Sequence, residues 1–199
     1  MKSGLRRIAL LAGATCTAIM ADSIPYSNPG TIAPEHQFQA AGNGDVSAYF
    51  YGTGALFTEE LGLFVNGVQQ GGWALQDHIS TVGQSVDFGA VKAGDSLVFA
   101  LKVEDTHYTV YSNSNWNPDG INHTYATPFS GAPEVDPTIP SGMFVGFEDE
   151  LLSFSDLNYK DEEFVLTNVA TSAVPEPGSC TLLVGGALAL AAGFVRRKR

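Results

Sequence analysis

Leu61-Gly62-Leu63-Phe64-Val65-Asn66-Gly67 is the stretch that decides the fold. A short β-rich run stops at Asn-Gly, the pair that most readily takes the positive φ angles of a two-residue hairpin turn. Further along, Ala93-Gly94-Asp95 leads into Ser96-Leu97-Val98-Phe99, a second turn-to-strand entry. Between turns rich in Gly, Asn, Ser and Pro, strands are predicted over 46–51, 61–65, 85–88, 96–103, 108–111, 143–147 and 163–169. The run from Ser96 to Glu104 alternates imperfectly, which predicts an inner strand covered on both faces. The middle of the chain has no sustained helical periodicity and no internal repeat. Short strands at regular spacing predict an all-β fold, a single β-sandwich or jelly-roll-like domain over residues 40–169, preceded by a linker over 22–39.

The 199 residues suffice for one domain once the ends are set aside. Charge is unevenly distributed. Lys2, Arg6 and Arg7 open the chain and Arg196-Arg197-Lys198-Arg199 close it, leaving Lys92, Lys102 and Lys160 between them. All 21 acids lie between Asp22 and Glu176, so the middle is far more acidic than the overall charge of −11. Such a domain repels nucleic acid and attracts cations, and it also gains solubility outside the cell. The two cysteines, Cys16 and Cys180, sit in the apolar ends, so the middle has neither a disulfide framework nor a cysteine-based zinc site.

The ends read as export signals. A basic start, an apolar run from Ile8 to Met20 and the small residue Ala21 predict a secretory signal peptide over 1–21, with cleavage after Ala18 as the alternative. Residues 180–195 are apolar and uncharged, long enough to cross a thin bilayer as a transmembrane helix. The basic residues 196–199 place that end on the cytoplasmic side. The acidic domain is then held outside, joined to the helix by a linker over 170–179.

Val174-Pro175-Glu176-Pro177-Gly178-Ser179, the apolar stretch and the terminal Arg-Arg-Lys-Arg together resemble the PEP-CTERM sorting signal, with Pro175, Glu176 and Pro177 as its core. The resemblance implies recognition by an exosortase, a membrane Cys transpeptidase-like enzyme, with this chain as its substrate. It also implies a Gram-negative bacterium that makes exopolysaccharide. The expected course is a membrane-anchored intermediate, then the cell surface or the extracellular matrix.

Seven acids fall between Glu148 and Glu163, against the single Lys160. Asp156, Asn158 and Asp161 can direct several oxygens from one loop, next to Glu148 and Asp149 at the end of the preceding strand. Hard oxygen ligands of this kind suit Ca2+. A solvated acidic hairpin with carboxylates capping its turns is the other reading of the same residues. Gly146-Phe147-Glu148-Asp149 followed by Ser155-Asp156-Leu157-Asn158-Tyr159-Lys160-Asp161 resembles a domain of unknown function in bacterial surface proteins, with an F-E-D-L…D-Y-N-D signature. Asn117-Pro118-Asp119-Gly120-Ile121-Asn122-His123 resembles its upstream D-G-x-N-H stretch. The resemblance implies an all-β, calcium-binding module, with Glu148, Asp149, Asp156, Asn158, Asp161 and Asp119 as metal ligands. Lys160 departs from the signature and either weakens the site or points away from it.

His36, His78, His107 and His123 form no zinc-hydrolase pair. His123 either supports the metal loop or makes a plain turn hydrogen bond. Glu148 and Asp149 are adjacent, and neighbours on a strand face opposite ways, so they are poor catalytic partners. Trp73 is expected in the core. Trp116, flanked by Asn115 and Asn117, is a candidate sugar-stacking residue. The expectation is a non-enzymatic surface or matrix protein. A calcium-dependent carbohydrate-binding module acting on exopolysaccharide is the alternative, and a secreted polysaccharide hydrolase comes after it.

Overall fold

The computed structural model describes residues 30–131 and 136–173. The signal peptide expected over 1–21, Pro175-Glu176-Pro177 and the membrane helix expected over 180–195 lie outside these residues. Among the described residues no helix is long and apolar enough to cross a membrane.

Among the described residues, eleven strands form two antiparallel sheets. They are β1 (His36–Ala40), β2 (Gly44–Thr53), β3 (Glu59–Val65), β4 (Val68–Ala74), β5 (Ser85–Val91), β6 (Ser96–Val103), β7 (Tyr108–Tyr111), β8 (Thr124–Phe129), β9 (Gly142–Phe147), β10 (Glu162–Leu166) and β11 (Val169–Ala173). One sheet runs β11-β1-β6-β3-β4, with β7 also paired to β6. The other runs β5-β2-β10-β9-β8. Leu61, Leu63, Phe99 and Leu101 of the first sheet share a buried core with Val46, Phe50, Phe147 and Phe164 of the second. Two sheets facing one apolar layer make a sandwich.

The hairpin forms where the Asn-Gly pair predicts it. Asn66 and Gly67 take φ of 50° and 84°, and Val65 pairs with Val68. The Asn66 side chain then bonds Ser96 N and Asp95 at the entry to β6, joining the two predicted turns. β6 is buried almost end to end, as its imperfect alternation predicts.

Three strands have no sequence signal strong enough to mark them. β4 carries Gly71 and Gly72, and β8 carries Pro128, which cannot donate to a ladder. Both are edge strands, where such residues are tolerated. β1 falls in the stretch expected to be linker, and it pairs with β11 from His36↔Ala173 to Ala40↔Val169. The strand predicted over 163–169 is really two. Asn168, at φ 58°, turns the chain out of β10 in one sheet and into β11 of the other. Its side chain bonds Gly42 N, Gly42 O and Gly44 O, where β1 crosses to β2 between the same two sheets.

Candidate functional site: an acidic end of the sandwich

The segment 148–161 joins β9 to β10 and closes one end of the sandwich. Its course is set by backbone contacts. Glu148 N donates to His123 O and Asp161 N donates to Phe147 O, at 3.0 and 3.2 Å. A Cβ on Gly146 would collide with the Tyr159 carbonyl, so glycine is what lets the loop pass this close to β9. Leu157 and Tyr159 both take left-handed backbone angles, at φ 55°. The Tyr159 hydroxyl accepts a hydrogen bond from Ala33 N at 2.8 Å, pinning the loop to the segment before β1.

Three of the six expected ligands come together. One carboxylate oxygen each from Glu148, Asp149 and Asp161 lies within 4.8 Å of the other two. Ligands about 2.4 Å from one Ca2+ can be no more than about 4.8 Å apart, so the triad has the spacing of a single coordination sphere. Glu148 and Asp149 are buried. Their convergence corrects the argument that they must face opposite ways. β9 ends at Phe147, and the strand rule stops with it.

The other three expected ligands are engaged within the loops. Asp156 accepts from Asn158 N and Nδ2, and Asn158 Oδ1 accepts from Lys160 N, which makes two successive side-chain turns. Asp119 accepts from Leu152 N and Ile121 N and meets His123 Nε2 at 3.2 Å. The other ring nitrogen of His123 lies 3.0 Å from Glu148 O. His123 thus bridges Asp119 to the backbone of a triad residue. Burial would raise the Asp119 carboxyl, but the two backbone donors and His123 outweigh it and hold the group below its ordinary value. Lys160 bears on Glu163, which burial nevertheless pushes up to about 7.

The triad is electrostatically unsettled. Burial, with the Asp149 charge next in importance, pushes Asp161 up to about 8. Burial also raises Glu148. Glu59 and Glu162, which sequence reading passed over, are fully buried at this end, and both oxygens of each lack a hydrogen-bond partner. Nothing in the strand pattern marks them. Each is the first residue of its strand, where an acid reads as solvent-facing.

The aromatic residues sort differently from expectation. Trp73 is not a core residue. It is half-buried, its ring lies over Gly62, and Lys102 Nζ sits 5.5 Å from the ring centroid. Trp116 is 39 % exposed and packs edge-on to Phe64 and Tyr111, with centroids 5.6 and 5.3 Å away.

Fold and site together define an all-β, two-sheet protein with a concentrated acidic end. The PEP-CTERM protein-sorting motif matches residues 173–199. This motif is what exosortase recognises, so the chain is an exosortase substrate, exported and processed at the membrane of a Gram-negative bacterium. No curated protein and no solved structure matches the chain.

Proposed function

We propose that this is a non-enzymatic surface or matrix protein whose β-sandwich is completed by Ca2+ after export. The observation that carries the reading is the triad of Glu148, Asp149 and Asp161, with their oxygens within 4.8 Å of one another. Three carboxylates cannot all ionise at that spacing without a counter-charge. Asp119 and His123 orient the loop that presents them, as outer partners do at metal sites. Burial of Glu148 and Asp149 favours an ion over a sugar ring as their partner. The test is calorimetric titration of the full chain with Ca2+, with melting followed in chelator. Heat of binding and a higher Tm with Ca2+ are expected, and absence of both removes the reading.

A second reading, calcium-dependent binding of exopolysaccharide, rests on the exposed Trp116 beside Phe64 and Tyr111. A ring held edge-on by two others keeps a flat face for a sugar, with little freedom left to lose. Binding to the host polysaccharide with and without chelator tests it.

A further inference from the structure

β1 and β7 share one edge of β6 and meet there end to end. β1 pairs with β6 at Ser96 and Leu97, and β7 pairs with it from Ala100 to Val103. Between them, Val98 has a ladder partner on the β3 side only, where it faces Phe64. The break opens a cavity of about 270 Å³. Ser112 carries β6 past the gap, since its N–H donates to Phe99 O and its Oγ accepts from Phe99 N, both at 2.9 Å. Glu35, just before β1, accepts from Ser114 N and Oγ at 3.1 and 2.8 Å and so ties the two strand ends together.

The walls of this cavity are polar and unengaged. Gln37 and Gln39 stand on the exposed side of β1, and Asn115 lies across from them. The side-chain amides of these three make no hydrogen bond among the described residues. His36 Nδ1, at the same cavity, is buried without a partner. An amide offers both a donor and an acceptor, which matches a hydroxyl, itself both. Neither Lys nor Arg lines the cavity, and Glu35 is its one acid. Such a lining pairs with hydroxyls and repels an anion. The aromatic surface adjoins it. Leu63, Leu97 and Phe99 point into the core, so Phe64 and Val98 share the outer face of the sheet. Phe64 packs on Trp116, the residue after Asn115.

We propose that the cavity between β1 and β7 is the sugar subsite of the Trp116 surface, and that it takes neutral sugar units rather than uronic acids or phosphorylated sugars. The proposal rests on the polysaccharide reading above and adds to it a subsite and a charge class. The hydroxyls of one unit enter between Gln37 and Asn115, while Trp116 stacks on a neighbouring unit. Small-ligand sites run to about 300–1,000 Å³, so a cavity of this size takes one ring and leaves the rest of the polymer on the sheet surface. The competing arrangement is stacking on Trp116 alone, which does not select by charge.

The test is affinity electrophoresis of the full chain with Ca2+ present. The probes are the host exopolysaccharide, split by anion exchange into neutral and acidic fractions, and alginate as a second anionic polymer. Retardation by the neutral fraction, and none by the acidic fraction or alginate, is expected. Gln37→Ala combined with Asn115→Ala should weaken binding by about tenfold or more with Tm unchanged, because neither amide is bonded to the fold. Retardation by the acidic fraction or alginate overturns the charge class. Unchanged affinity in the double variant overturns the subsite. In either case, loss of binding in Trp116→Ala leaves the polysaccharide reading standing. If the double variant does not fold, Gln39→Ala alone decides by the same criterion. Failure of the native chain to bind any of the three probes removes both.

Discussion

The backbone N–H of Asp149 donates to Oδ2 of Asp161 at 3.0 Å, across the whole span of the loop between them. One carboxylate thus both closes the loop and belongs to the triad. Asp161→Asn keeps an oxygen for the Asp149 N–H and removes the charge. Ca2+ affinity should fall by about tenfold or more, while the chelated protein melts at the same temperature or higher. Calorimetry and thermal melts on the same sample check both halves.

The cation-free protein should lose stability as pH rises. Asp161 moves from an ordinary 3.8 to about 8, and Glu59 from 4.5 to about 11. The native state therefore holds more protons than the unfolded chain above the ordinary carboxylate range. In that window stability falls with pH, from near 4 up to about 8 for Asp161 and beyond it for Glu59. A Ca2+-loaded site is already ionised, so saturating Ca2+ should flatten the curve. A residual slope remains from Glu163, pushed up to about 7, and from Glu162 and Glu59, which burial also raises and which lie outside the triad. Urea melts at pH 5 and pH 8, with and without Ca2+, read the effect.

Gly146→Ala places a methyl group against the Tyr159 carbonyl, a backbone atom that cannot swing aside. A loss of about 3 kcal/mol or more is expected, because β9 or the loop must shift. Alanine at Gly72, where nothing lies within 4 Å, is the control. Denaturant titration of the two variants should separate them clearly.

Trp116→Ala should cost about 1–2 kcal/mol, since the ring is partly exposed but touches Phe64 and Tyr111. If that surface stacks on sugar, polysaccharide binding disappears while Ca2+ affinity stays unchanged. Retention of glycan binding by the variant would place the contact elsewhere.

Replacing Pro175, Glu176 and Pro177 by alanine should block processing at the motif that spans 173–199. Full-length precursor should then accumulate in the membrane fraction. Immunoblots of fractionated cells from the source host, against the native chain, check it.

The hairpin at Asn66-Gly67 and the doubly covered strand β6 could be read locally, because turn chemistry and residue alternation report on neighbours in sequence. β8 and β4 could not, because Pro128 and the Gly71-Gly72 pair argue against strands unless their position at an edge is already known. The same limit applies at the site. An acidic loop can be counted from sequence, but Asp156 and Asp161 look alike there. Only the path of the chain sends Asp161 to the triad and leaves Asp156 capping a turn.

By itself the sequence determined the β class, the acidic middle between basic ends, and the sorting motif, since each is a property of order and composition. Tertiary structure alone decided that Glu148 and Asp149 converge, that Trp73 lies outside the core, and that Glu59 and Glu162 are buried. The physical reason is distance along the chain. Glu59 and Glu162 open strands of opposite sheets, and the electrostatic cost of burying them exists only once the two sheets have closed on one apolar core.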